Sequence, residues 1–242
     1  MSKRSDSRKP KTLGDYHHLK DALNANPQSV TTIFDGKLSK ILIAPPTPFG
    51  KRMRSALRVI DGIHTVGDRL ISRIEIVETN DRKSLGNLVY HPGTGEPLRI
   101  EISRRNEQVE FTLLHEVGHF LEFAAIPGAN FGRRNWNFDP LLERVLKAAS
   151  ESAGVSHLRG VSQKMTDPLQ IRAFEYILDP KEIWSRAYAQ FIAARSQNPE
   201  LIKFLDWRRS PDIQDPIQWL DSDFRSIATA IESVFTELGW FS

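Results

Sequence analysis

The chain has 242 residues, of which 40% are apolar, including 13 Phe and 5 Trp; this is enough for a packed core and sets disorder aside as the default. There is no cysteine, which excludes disulfides, thiolate metal sites and a cysteine nucleophile, and no apolar run approaches the length of a membrane span. An isoelectric point near 9.2 suggests a polyanionic partner, yet residues 1–12 hold five Lys/Arg against one Asp and the whole chain is only +3, so residues 13–242 sum to −1.

The basicity therefore belongs to the first segment, MSKRSDSRKPK, which is expected to be a disordered tail. No apolar stretch follows it, so it does not match a secretory signal, and a cytoplasmic protein is expected. Such a tail is ordinarily a solvated end. Its alternative role is weak contact with nucleic acid.

Beyond the tail, a short helix is expected over Tyr16–Leu23 and a strand over Ser39–Ala44, ended by Pro45, Pro46 and Pro48. Arg52–Asp68 has Met53, Leu57 and Ile60 near helical spacing. Three strands are expected next, at Leu70–Val77, Gly86–Tyr90 and Leu98–Ser103. In the last, Leu98, Ile100 and Ile102 alternate with Arg99, Glu101 and Ser103. Asn106–Phe123 reads as a helix with a stripe of Leu113, Val117 and Phe120 or Leu121, stopped by Pro127-Gly128. Asn130–Trp136 is loop-like, and Pro140–Ser152 is a helix capped by Asp139. Asp179-Pro180 opens a helix to about Ser196, with Asp179 as cap and Glu182 three residues after it. Asp221–Leu238 is the final amphipathic helix. The pattern predicts an α+β fold: a small sheet packed on the Asn106–Phe123 helix, with a helical C-terminal half. Residues 13–196 form the main domain, and 197–242 a helical extension packed on it without chemistry of its own.

His115-Glu116-Val117-Gly118-His119 carries the chemistry. Four residues span just over one helical turn, so both imidazoles leave the same face and their nitrogens can meet one Zn²⁺. Glu116 lies one position on, where its carboxylate can take a proton from a water beside the metal. A catalytic zinc site needs a third protein ligand and an open position. The metzincin extension is absent, since its Gly and His positions hold Glu122 and Ala125. His157, in an expected loop, is a rival third ligand, and Glu122, Glu175 and Asp179 are weaker ones. His64 and His91 are expected to be structural or surface histidines.

Lys181–Ala193, KEIWSRAYAQFIA, resembles the second motif of gluzincins, in which a Glu on a following helix completes the zinc site. Glu182-Ile-Trp-Ser-Arg186 stands where lethal-factor-like and pro-pro endopeptidase metallopeptidases carry Glu-x-x-Ala-Glu. It is most similar to the Glu-x-x-x-Arg-Ala form of zincin-like domains in phage and mobile-element proteins. The resemblance covers about residues 70–195 and implies a zincin-like metallopeptidase domain. It makes Glu182 the third ligand of His115 and His119, with capping of its own helix as the alternative role. It also implies a tyrosine that stabilises the oxyanion; Tyr176 lies six residues before Glu182. Arg186 replaces the second Glu and cannot accept a hydrogen bond from a ligand histidine; its alternatives are pairing with Glu182 or with substrate. In zincins an edge strand beside the active-site helix pairs with an extended peptide, and Leu98–Ser103 is the candidate here. The expected activity is hydrolysis of a peptide bond in a protein or peptide, with zinc as cofactor. The alternatives are a non-catalytic zincin-fold module associated with phage or mobile elements, and a nucleic-acid-associated protease targeted by the tail.

Overall fold

Four helices start on the same local signal, a polar cap followed by proline: Thr47-Pro48, Asp167-Pro168, Asp179-Pro180 and Asn198-Pro199. In each the cap side chain accepts a backbone N–H of the first turn, and the proline occupies a position whose own N–H would have no helical partner. The computed structural model describes residues 36–67, 73–81, 84–91, 94–126, 140–210, 212–213 and 216–241. The expected tail, the Tyr16–Leu23 helix and the Asn130–Trp136 loop lie outside them.

In chain order the elements are α1 (Leu38–Ile41), β1 (Leu42–Ile43), α2 (Pro48–Asp61), β2 (Ile74–Thr79), β3 (Gly86–Tyr90), β4 (Pro97–Ser103), α3 (Val109–Ala124), α4 (Pro140–Ser150), α5 (Ala153–Ser162), α6 (Pro168–Ile177), α7 (Pro180–Arg195), α8 (Pro199–Arg208) and α9 (Asp221–Glu237). The fold is α+β, with one small mixed sheet and a helical C-terminal half. None of the described helices is long and apolar enough to cross a membrane.

Three local expectations change. The Ser39–Ala44 strand is a turn of helix and then two strand residues, because Lys40 and Ile41 continue the α1 turn that Asp61 caps through the Leu38 N–H. The helix expected over Arg52–Asp68 begins earlier, at the Thr47 cap, and ends at Gly62. His157 stands on α5 and not in a loop, since Ser152 caps that helix by accepting the Val155 N–H.

The sheet order is β1-β2-β4-β3. β1 and β2, and β2 and β4, run parallel; β3 and β4 run antiparallel. Pairing aligns Ile76 with Ile100 and Ile100 with Leu88, so one apolar row crosses three strands on the buried face. Leu98–Ser103 is thus an internal strand, with both edges used. The edge strands are β1 and β3, and the outer side of β3 has no strand partner among the described residues.

α3 lies against the sheet and is buried almost all round, which is why its sequence is apolar on more than one face. α7 crosses it at Gly118, where an added Cβ would come within 2.9 Å of the Ser185 Cα. The absent side chain lets the two backbones approach, and the Trp184 indole N–H donates to the Gly118 carbonyl at 2.8 Å across the contact. The core continues without a break into the last segment: Trp219, Phe224, Ile227, Ile231, Phe235 and Trp240 belong to the cluster that holds Leu113 and Val117. Phe224, Ile227, Ile231 and Val234 form the α9 stripe read from sequence.

Candidate metal centre

His115 and His119 leave α3 one turn apart, with Nε2 atoms separated by 3.1 Å and rings nearly perpendicular, at 87°. Glu182 enters from the first turn of α7. Its Oε2 lies 3.2 Å from the His115 Nε2, and its Oε1 3.4 Å from the His119 Nε2. The three ligand atoms all fall within 4.8 Å of one another, so the group could hold one metal ion. The α7 cap explains why Glu182 is available. The Asp179 carboxylate accepts the Lys181 N–H at 3.0 Å, and the Asp179 N–H is taken by the Tyr176 carbonyl at 3.1 Å. The helix start is satisfied without Glu182, whose carboxylate turns to the imidazoles.

The electrostatics fit that arrangement. Burial opposes charge on Glu182, but hydrogen bonds from His115 and His119 outweigh it and hold the carboxyl well below its usual range. Burial likewise opposes charge on His119, yet Glu182, Glu116 and Glu122 hold its imidazole above the usual range. Without a cation, shared protons must offset the carboxylate. Two imidazole nitrogens and a carboxylate oxygen turned to one point can do the same for a divalent ion.

Glu116 stays outside that trio. It is buried, burial pushes its carboxyl up, and it accepts a hydrogen bond from the Leu88 backbone N–H of β3. The strand is set against α3 by Asn106, which donates to the Leu85 carbonyl at 3.3 Å and caps the approach to α3 by accepting the Gln108 N–H at 2.8 Å. Sequence reading gave no role to Leu88, because the group that reaches Glu116 is a main-chain N–H and carries no residue signature.

Tyr176, the tyrosine offered by the resemblance, lies next to Glu182. Tyr176, near the end of α6, bonds the Glu182 side chain through its hydroxyl, while its ring is 58% exposed. A second tyrosine, Tyr90 at the end of β3, rests on Phe123 of α3 with ring centroids 5.8 Å apart. Burial first, and then Glu122, Glu116 and Glu182, push its phenol up. Tyr90 was legible only as a strand residue.

Arg186 feels the charge of Glu182, but its hydrogen bonds go to backbone carbonyls. It is buried with Nη2 on the Ile177 carbonyl at 2.7 Å, Nη1 on the Ile217 carbonyl, and its guanidinium over the Trp219 ring. Its donors are spent on backbone, so it ties the end of α6 and the segment before α9 to α7. Of the rival ligands, His157 is exposed on α5, Glu175 is exposed on α6 and Asp179 caps α7. Glu122 is buried on α3 outside the trio. His91 sits in the turn after β3, accepting the Thr94 N–H at 3.3 Å. His64 is a core histidine, bonded to the Thr65 carbonyl at 2.7 Å and the Tyr188 hydroxyl at 2.9 Å.

Comparison with family models, with curated proteins and with solved structures finds no match.

Proposed function

We propose that the chain is a zinc-dependent peptidase with a zincin-like domain, acting on an extended segment of a peptide or protein. One observation carries this reading: His115, His119 and Glu182 converge to within 4.8 Å while a fourth side chain, the buried Glu116, is held just beside them by a strand edge. A site built only to bind metal has no use for a buried carboxylate kept off the metal.

The donor set suits zinc, whose catalytic sites take three protein ligands from His, Glu and Cys and leave a position open. Bound there, zinc would polarise a water and the scissile carbonyl. The remaining steps belong to the chain. Glu116 takes the proton of the attacking water, for which a carboxyl raised by burial is suited, and delivers it to the departing amine. The Tyr176 hydroxyl, beside Glu182, would turn from that carboxylate to donate to the carbonyl oxygen as it gains charge. β3 supplies the peptide groove: its outer N–H and C=O groups other than the Leu88 N–H, which Glu116 takes, can add an extended segment, and the strand runs along α3 from the level of Glu116 to that of Phe123.

Purified protein should hold about one zinc per chain. Glu116→Gln should keep that zinc, and on a peptide found by a cleavage screen it should lose ~10²–10⁴-fold in turnover, as expected for a lost general base. Full activity in Glu116→Gln would remove the mechanism. A folded wild-type protein that cannot be loaded with zinc would remove the whole reading.

A further inference from the structure

Gly86 opens the edge strand, and its backbone does not call for glycine. It is not among the glycines with positive φ, which are Gly36, Gly67, Gly95 and Gly239. In an ordinary extended conformation, glycine is the weaker choice: alanine would reduce the freedom of the unfolded chain, and strand interiors disfavour glycine. The reason for it is space. A Cβ at Gly86 would lie 2.5 Å from the Thr112 Cγ2, 2.9 Å from the Glu116 Oε1 and 3.1 Å from the Glu116 Cγ. Real Cβ atoms are not found within 3.0 Å of another heavy atom, so something must move. Two residues further along the same strand, the Leu88 N–H holds the other contact with that carboxylate.

We propose that Gly86 is a positioning residue: its missing side chain lets the Glu116 carboxylate lie against β3 and receive the Leu88 N–H, which fixes the carboxylate beside the His115–His119–Glu182 group instead of in the cleft. Gly86 touches no substrate; it acts through Glu116. The significance of Glu116 rests on the peptidase reading, whereas the packing claim does not. An alanine here leaves Glu116 with two outcomes, displacement from Leu88 or displacement of the strand. Either opens the gap between the base and the ligand group while leaving both histidines on their helix.

The test is a mutational cycle on the full-length protein. Thr112→Ser removes the nearest carbon, so that only the encounter with Glu116 remains. In that background, Gly86→Ala should lower the folding equilibrium constant about tenfold, read from urea unfolding in the presence of a chelator, which is within the range of coupling between touching residues. In the Thr112→Ser/Glu116→Ala background, the same change should cost less than about twofold, because the three nearest atoms are gone. Amide exchange of the zinc-loaded protein gives a readout that a general loosening would not mimic. The Leu88 N–H should exchange at least about tenfold faster in Gly86→Ala/Thr112→Ser, while the neighbouring ladder amides of β4 keep their protection. Glu116→Asp, one methylene shorter, should restore part of the stability lost to Gly86→Ala. Equal cost in the two backgrounds, or unchanged protection of Leu88, would overturn the assignment. Neither measurement needs turnover. Coupling without peptide cleavage would therefore retain the role of Gly86 and discard the peptidase reading.

Discussion

Helix α7 serves two histidine centres, one at its start and one at its middle. At its start, Glu182 meets His115 and His119; further along, Tyr188 meets His64. His64 and His119 are nearly equally hidden, at 3% and 8% exposure. Burial pushes both toward the neutral form, so burial does not distinguish them. The partners do. His119 faces carboxylates from Glu182, Glu116 and Glu122, and these hold its imidazole up. His64 faces a carbonyl and a phenol and stacks on Trp240, so burial prevails and its imidazole falls to about 4. The Thr65 carbonyl accepts the Nδ1 proton, which leaves the Nε2 lone pair to accept from the Tyr188 hydroxyl. One helix thus places a carboxylate where two imidazoles converge, and a phenol where an imidazole stays neutral.

The largest effect that bears on this contrast is loss of a ligand. His119→Ala should weaken zinc binding about a thousandfold, one ligand's share of a typical site free energy, while His64→Gln should leave zinc content unchanged. Elemental analysis and competition with a chelator measure both. Equal losses in the two variants would mean that the centres are not distinct.

The next effect is acid lability at the neutral centre. The His64 imidazole titrates near 6.5 when unfolded and near 4 when folded. Its contribution is therefore fully present above 6.5 and is lost as the pH falls toward 4, because the unfolded chain binds the proton first. The difference corresponds to about 3 kcal/mol. Chelator-treated wild type should lose that much more stability between pH 7 and pH 4 than His64→Gln, which cannot take up the proton. Parallel pH–stability curves from urea unfolding would contradict a neutral buried His64.

A smaller effect separates the phenol from its ring. Tyr188→Phe removes the hydroxyl and leaves the aromatic packing, so it should cost about 1–2 kcal/mol through an unmatched His64 Nε2. Zinc affinity should not follow. A comparable effect lies at the helix crossing: Trp184→Phe gives up the bond to the Gly118 carbonyl, worth about 1 kcal/mol, and leaves a smaller ring in the core, for about 2–3 kcal/mol in all by thermal or urea unfolding. A cost near zero would show that the approach of α3 and α7 is held by the Gly118–Ser185 contact alone.

Most of what positions the metal group is local, and local features were legible. The i, i+4 histidines need only a helix, and Asn106–Phe123 supplied the apolar stripe for one. Asp179-Pro180 fixed the start of α7, and with it the place of Glu182. The helices α5, α6 and α8 were not read. α6 is an example: it buries none of its ten residues, but Ile171, Phe174 and Ile177 recur at helical spacing on its less exposed side. Its cap and proline, Asp167-Pro168, repeat the signal that was recognised at Asp179-Pro180 and would have been sufficient. The identity of the edge strand was out of reach for another reason. Gly86–Tyr90 and Leu98–Ser103 are both good strands, and which one ends the sheet depends on β2 pairing with β4 across the intervening hairpin arm. Arg186 was misread because a cation beside a glutamate suggests an ion pair, whereas its real partners are the carbonyls of Ile177 and Ile217, which leave no mark in a sequence.

The latch on the far side of α7 bears on the order of events during synthesis. Gln190 grips Trp219 through both main-chain groups, at 2.8 and 3.0 Å, Arg186 grips Ile217, and the Thr65 N–H reaches the Trp240 carbonyl at 2.9 Å. A nascent chain that has passed Arg195 already carries every side chain of the metal group. The helix presenting Glu182 still lacks the aromatic face of α9 and the hooks that seat it, and His64 still lacks Trp240. On the proposed reading, the group would take its metal only in the finished polypeptide, once the last aromatic anchors have given His115, His119 and Glu182 a fixed place to meet.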